Sequence, residues 1–312
     1  MGAGVTSLTG PARPARWPRH TAPWAVLALA LLAGACSSAG SGSSAAPVDY
    51  YVSLGDSYAA GYQPNPSGGV GTTSTNGFAY QVVSLAKPKG YHFTLANFGC
   101  NGTTTTSLLD TTGCAKGLGP GGIAYPTTTQ AAAAESFLRG HRGHVGLVTV
   151  SIGGNDVTHC GGVADPTSCV ISAIATIKAN LATLLGGLRD AAGPAVPIVG
   201  TTYPDVLLGL WVATPPNQTL ATLSVTAFKS LLNPALQAAY QGAHGTFVDV
   251  TAATGGYTPL DQTTSLAPYG TIPVAVAKAC ELTFYCTLHD IHPMTPGYTI
   301  IAQLVVGTLP AK

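Results

Sequence analysis

Apolar, β-branched runs alternate along most of this chain with stretches whose apolar residues recur every three or four positions. Residues 50–54 (YYVSL) read as a strand, 78–86 as a helix and 91–97 as a second strand. Residues 130–139, with four successive alanines, read as helix. The run 145–152 (VGLVTVSI) is nearly continuous in apolar character, which suits a parallel strand covered on both faces. Val170, Ile174, Ile177, Leu181, Leu184 and Leu188 then step at helical spacing. Residues 196–201 form a fourth strand candidate. A helical region over 223–241 follows, which Pro234 should kink or divide. Residues 246–250 give a fifth strand and 297–306 a last helix. Strand and helix alternating five times predict an α/β protein, with a parallel sheet between two helical layers. Nothing between 48 and 312 suggests a domain boundary. The segments 64–77, 113–129 and 204–218 are left as long loops, which in such folds usually shape a site.

The N-terminus has a different pattern. Arg13, Arg16 and Arg19 precede an uninterrupted apolar run over 24–35, which is too short for a membrane span of roughly 20 residues. A basic start and a short apolar core predict a signal peptide over 1–35. It ends in Leu32-Ala33-Gly34-Ala35-Cys36, which resembles a bacterial lipobox with Cys36 as the lipidated residue. Cleavage at Ala33-Gly34-Ala35 by a general signal peptidase is the alternative, leaving simple secretion. The Ser- and Gly-rich stretch 36–47 reads as a flexible tether to a domain over 48–312. The expected location is the bacterial exterior, on the cell surface or free.

Only 25 of 312 residues are charged, or 8% against about 25% in an ordinary soluble domain. The formal net charge is +1, and without the three leader arginines 10 basic residues face 12 acidic ones. No basic cluster lies beyond the leader, which excludes electrostatic nucleic-acid binding. Hydrophobic residues make up 46%, which excludes disorder from low hydrophobicity. There are seven cysteines. With Cys36 set aside, six fall into close-spaced couples, and an oxidising compartment favours the local pairings Cys100–Cys114, Cys160–Cys169 and Cys280–Cys286. A metal site using His159 or His289 is the alternative, weakened by the lack of a C-x-x-C spacing.

Three short islands carry candidate chemistry. Gly55-Asp56-Ser57-Tyr58 follows the first strand, and Gly153-Gly154-Asn155-Asp156 follows the 145–152 strand. His289-Asp290-Ile291-His292-Pro293 precedes the last helix. Each alone reads as a helix cap, a turn or a solvated loop. Together they bring a hydroxyl, an amide and an imidazole to one edge of one sheet, as acyl transfer requires.

With these blocks the chain resembles the SGNH (GDSL-type) hydrolase superfamily over most of 48–312. The matching elements are Gly55-Asp56-Ser57, a glycine at Gly102, Gly153-x-Asn155-Asp156 and His292-Pro293. The Cys-rich loops and lipobox resemble its secreted actinobacterial lipase/esterase branch. The resemblance implies a three-layer, flavodoxin-like α/β/α sandwich with a five-stranded parallel sheet. It implies Ser57 as nucleophile and His292 as general base. The oxyanion hole would be the Ser57 and Gly102 N–H groups with the Asn155 side chain. The family's acid lies three residues before the histidine, where this chain has His289. Either Asp290 orients His292 from two residues away, or a carbonyl at His289 does so in a Ser–His dyad, toward which the reading leans. The expected function is a monomeric, secreted serine esterase or lipase acting on ester or lipid substrates, without metal or other cofactor. The alternatives are a carbohydrate O-acetylesterase and a non-catalytic surface lipoprotein that binds a ligand.

Overall fold

The computed structural model describes residues 49–312. The expected signal peptide (1–35), tether (36–47) and lipid acceptor Cys36 lie outside the described residues.

The first strand, β1 (Asp49–Gly55), carries Tyr51, Val52 and Leu54 with no exposed surface. It lies between β2 (Phe93–Asn97) and β3 (Val145–Ser151), followed by β4 (Ile198–Thr201) and β5 (Thr246–Val248). Every pairing is parallel, and the spatial order is β2-β1-β3-β4-β5. This is the flavodoxin-like order, in which ligands gather at the carboxyl ends of β1 and β3, where the winding reverses. Burial on both faces explains why β1 and β3 read as unbroken apolar runs. Some of the polar groups inside the sheet satisfy one another: Tyr51 Oη lies 2.8 Å from Thr149 Oγ1, which donates to Ser53 Oγ at 3.2 Å.

The helices include, in chain order, α1 (Ser57–Ala60), α2 (Phe78–Leu85), α3 (Thr105–Asp110), α4 (Gln130–Gly140), α5 (Gly154–Thr158), α6 (Pro166–Ala192), α7 (Gln218–Thr226) and α8 (Asn233–Gly242). The last helix is Thr295–Gly307. One helical layer has α6 between α4 and α8; in the other the last helix packs on α2. Asp165 caps α6, its Oδ1 accepting from the Ser168 N–H at 3.0 Å, and Pro166 opens the first turn.

Several boundaries differ from the sequence expectation. The helical region expected over 223–241 divides before Pro234, through a π-helical turn at Ala227–Leu232. A proline has no N–H for the carbonyl four residues back and its ring crowds that carbonyl, and the wider turn absorbs both. The loop expected at 204–218 contains a 3-10 helix, Val206–Trp211, with Val206 and Leu208 buried. A polar hairpin, Thr263–Leu266 with Gly270–Pro273, gave no strand pattern in the sequence. It leads into the helix Val274–Leu282, and together with Leu208 they form a second, smaller apolar cluster around Ile272 and Val276.

The six cysteines are bonded as Cys100–Cys114, Cys160–Cys169 and Cys280–Cys286, with Cα separations of 5.8, 5.5 and 5.1 Å. His159 Nε2 stands 3.4 Å from Cys169 Sγ and 3.8 Å from Cys160 Sγ. Those two sulfurs are bonded to each other and are not available as metal thiolates.

Candidate active site

The end of β1 is gripped from several directions. A Cβ at Gly55 would stand 1.9 Å from the Ser151 carbonyl oxygen, so β1 and β3 approach this closely only at glycine, here at φ +133°. The Gly55 N–H donates to Gln130 Oε1 at 2.7 Å, and Gln130 Nε2 returns a bond to the Gly55 carbonyl at 3.0 Å. Asp56 caps α1 by accepting from the Tyr58 N–H at 2.9 Å, and its other oxygen accepts from the Tyr203 hydroxyl at 2.6 Å. Ser57 is therefore the first residue of a short helix on a fixed turn, and it is 6% exposed.

His292 reaches Ser57 from the loop before the last helix. Its Nε2 lies 2.7 Å from Ser57 Oγ and its Nδ1 2.7 Å from Asp290 Oδ1. An ionised carboxylate only accepts, so Nδ1 carries the proton and Nε2 accepts from the Ser57 hydroxyl. The same Asp290 oxygen accepts from the His292 backbone N–H at 2.9 Å, an Asx turn that ties ring and backbone to one carboxylate. This corrects the lean toward a dyad. Asp290, not a carbonyl at His289, stands on Nδ1, and the turn is what lets a two-residue spacing work. His289 at φ +52° turns the chain just before it. Above the loop, Tyr58 Oη donates to the Ile291 carbonyl at 2.6 Å, and the Tyr62 and His292 ring centres are 4.4 Å apart.

Asn155 lies in the first turn of α5, after Gly153 at φ +111°. One of its amide hydrogens goes to the Thr103 carbonyl at 2.9 Å. The neighbouring Asp156 accepts from the Thr105 N–H at 2.9 Å, so the two side chains clamp the 103–105 segment. That segment is also fixed at Cys100, whose N–H donates to the Gly55 carbonyl at 3.0 Å. Gly102 sits between these anchors at φ +73°. The N–H groups of Ser57 and Gly102 have no hydrogen-bond partner among the described residues.

A cavity of about 100 Å³ has Ser57 and Asn155 in its wall. Its other walls are mostly apolar, with Val157, Val170, Val206, Leu207, Phe228 and Leu232, though Thr158 and Ser224 also line it. Three carboxyls around it have shifted pKa values. Burial pushes Asp56 up to about 7, against the hydrogen bonds from Tyr203 and Tyr58. Burial likewise pushes Asp205 up to about 7, although Ser224 donates to it at 2.8 Å. Burial also works to raise Asp290, but hydrogen bonds from the His292 ring and backbone and the attraction of an imidazolium outweigh it, leaving Asp290 below the usual carboxylate range.

The structure thus brings Ser57, His292, Asp290 and Asn155 together, with Gly102 two residues beyond the Cys100 anchor. Sequence reasoning missed Gln130, Tyr58 and Tyr203. Tyr58 directly follows Ser57, which was the only sequence clue to any of them.

A serine, a histidine and a carboxylate linked in series at the carboxyl edge of a flavodoxin-like sheet are the parts of a triad hydrolase. Residues 53–300 match the GDSL-like Lipase/Acylhydrolase family; the chain belongs to that family and is a carboxylic ester hydrolase. Among solved structures it is similar to an aryl esterase of M. smegmatis (15% identity, 83% of this chain and 97% of that one, TM-score 0.44). It is similar to a phospholipase A1 from Streptomyces albidoflavus NA297 (18% identity, 84% and 99% covered, TM-score 0.47). A carbohydrate acetylesterase from Sinorhizobium meliloti is a third (14% identity, 84% and 100% covered, TM-score 0.45). Comparison with curated proteins gives no match.

Proposed function

We propose that the protein is a serine esterase acting through a Ser57 acyl-enzyme. His292 Nε2 takes the Ser57 proton as Oγ attacks the ester carbonyl, then gives it to the departing alcohol. A water, deprotonated by the same nitrogen, releases the acyl group. Asp290 holds the ring and its tautomer and stabilises the imidazolium. The Ser57 and Gly102 N–H groups and the second Asn155 amide hydrogen meet the oxyanion, each worth roughly 3–4 kcal/mol in the transition state. The steps call for no metal or organic cofactor. The reading is carried by the 2.7 Å contact of His292 Nε2 with Ser57 Oγ, backed by Asp290 on the other nitrogen. A fluorophosphonate probe should label the protein at Ser57, and Ser57→Ala should abolish both labelling and ester hydrolysis. Hydrolysis retained in that variant would sink the mechanism.

The apolar cavity takes the acyl group. At about 100 Å³ it is a third or less of an ordinary ligand pocket, which suits a chain of a few carbons. This size favours, as a second reading, an esterase removing acetyl groups from carbohydrates. A series of p-nitrophenyl esters separates the two, since an acetyl specialist drops sharply at butyrate.

The chain's basic start, short apolar run and Cys36 support export, with a lipid anchor to a bacterial surface. Labelled fatty acid should enter the full-length chain in cells and be lost in Cys36→Ser. The same features and the Cys-rich loops support placement in the secreted actinobacterial branch.

A further inference from the structure

The cavity at Ser57 runs across three strand ends. Ser57 follows β1, Asn155 follows β3, and Tyr203 and Pro204 follow β4, and all four residues line it. Neighbouring strands lie about 4.8 Å apart, so β4 is roughly 10 Å from the strand of the nucleophile. A further wall comes from one continuous helical stretch, with Ser224 in α7 and Ala227, Phe228 and Leu232 in the π-helical turn Ala227–Leu232. That turn packs on α6, whose Val170 lines the same cavity, and it leads into α8, which lies on β4 and β5. It therefore stands on the β4 side, across β3 from Ser57.

The π-helical turn does more than absorb Pro234. An α-helix advances about 100° per residue, so side chains four apart drift by about 40° and those eight apart by about 80°. A π turn closes its hydrogen bonds five residues apart and advances less per residue, which takes that drift back. Ser224, Phe228 and Leu232 consequently keep one face toward the cavity, and all three are buried. The Ser224 hydroxyl is engaged by Asp205 Oδ2 and the Ala221 carbonyl, each at 2.8 Å, so it is not free for a ligand. Phe228 is the largest side chain of this face, and its ring fills space that a longer ligand would need.

We propose that Phe228, aimed by the π-helical turn, closes the far end of the cavity and sets the longest acyl group that the enzyme accepts. The inference rests on the Ser57 esterase reading and names the residue that makes the enzyme short-chain specific. The distance across β3 has room for a longer chain, and the phenyl ring takes up what a short acyl group leaves. Ala227 lies on the same wall and is small, so bulk added there should shorten the cavity further.

The test is kcat/KM on p-nitrophenyl acetate, butyrate, hexanoate and octanoate. The wild type should fall off beyond butyrate. Phe228→Ala should raise the hexanoate-to-butyrate ratio by roughly tenfold, because two more methylenes are buried at about fourfold each. Phe228→Leu should move the ratio the same way by less. Ala227→Leu should act in the opposite sense and lower the butyrate-to-acetate ratio by roughly tenfold. A hexanoate-to-butyrate ratio unchanged in Phe228→Ala overturns the proposal. So does an equal loss on every ester, which would make Phe228 a packing residue only. If Phe228→Ala does not fold, Ala227→Leu decides, and an unchanged butyrate-to-acetate ratio there is the overturning result. A wild type that hydrolyses the esters beside variants with unshifted ratios removes this inference alone. A wild type that hydrolyses none of them overturns the esterase reading, and this inference with it.

Discussion

The two halves of the proposed catalytic pair are built differently. Ser57 follows a central strand whose Tyr51, Val52 and Leu54 are buried in the main core, and Gln130 and Tyr203 grip the residues just before it. His292 rides on a loop beside the smaller cluster around Ile272 and Val276, and its side chain is 13% exposed, that of Asp290 25%. The sheet therefore fixes the proposed nucleophile. The base is fixed by its own turn and a few contacts, among them backbone bonds from Phe284 N–H to the His292 carbonyl (3.0 Å) and from Met294 N–H to the Leu282 carbonyl (2.9 Å). Substitutions on the first side should reach stability, and those on the second should mostly reach rate.

The widest expected effect treats the halves alike. Ser57→Ala and His292→Ala should each lower kcat by about 10⁴- to 10⁶-fold, because a nucleophile and its base act as one unit. Neither fills a core position, so thermal midpoints should stay within a few degrees. Turnover near wild type in either variant would show that the pair is not the machinery.

Next comes Asp290→Asn. An asparagine can still accept from the His292 N–H and keep the turn, but it cannot stabilise an imidazolium. A loss of about 10²- to 10⁴-fold in kcat is expected, with the loop intact by amide exchange. A loss below tenfold would give the orienting role to another group.

Asn155→Ala should cost roughly 10²- to 10³-fold in kcat with little change in KM, since its free hydrogen acts on the oxyanion rather than on the bound ester. A rise in KM at unchanged kcat would instead make it a substrate-binding group.

The division between the halves also separates what could be read from the chain from what could not. β1 and β3 are legible because strands buried on both faces must be continuously apolar. Ser57, Asn155 and His292 are legible because glycines, small polar residues and a His-Pro pair interrupt apolar runs where the strands or the last helix begin or end. Gln130 looks only like the start of a helix, yet it closes a bond pair across 75 residues. The Tyr203–Asp56 and Tyr58–Ile291 bonds span 147 and 233 residues, and no local pattern encodes them. The hairpin at Thr263–Pro273 was missed because its strands are polar and short, and the π-helical turn because Pro234 marks a break without saying how it is absorbed. The role of Asp290 needed the Asx turn, which spacing alone does not reveal.

The smallest effects come from one chemical change made on each side, and they separate the halves most cleanly. Tyr58→Phe removes the hydroxyl that tethers the Ile291 carbonyl above His292. That carbonyl is only partly buried, so the stability loss should be about 1 kcal/mol. With its tether gone the loop samples more positions, and kcat should fall by roughly three- to tenfold. Tyr203→Phe removes instead a donor to a fully buried carboxyl that burial already holds near 7. The hydroxyl favours the charged form, so its loss raises the folded-state pKa of Asp56 further above its unfolded value. A carboxyl whose pKa is raised by folding supports the fold when protonated. That support is complete below the unfolded value of about 4 and is lost as pH rises through the folded one. The penalty of Tyr203→Phe should thus be slight at pH 5 and grow through pH 7 to about 1–3 kcal/mol at pH 8.5. Urea titrations of both variants at the two pH values check this. A Tyr203→Phe penalty that is the same at both would mean that Asp56 stays neutral throughout, and the hold on the nucleophile side would then be one of packing rather than charge.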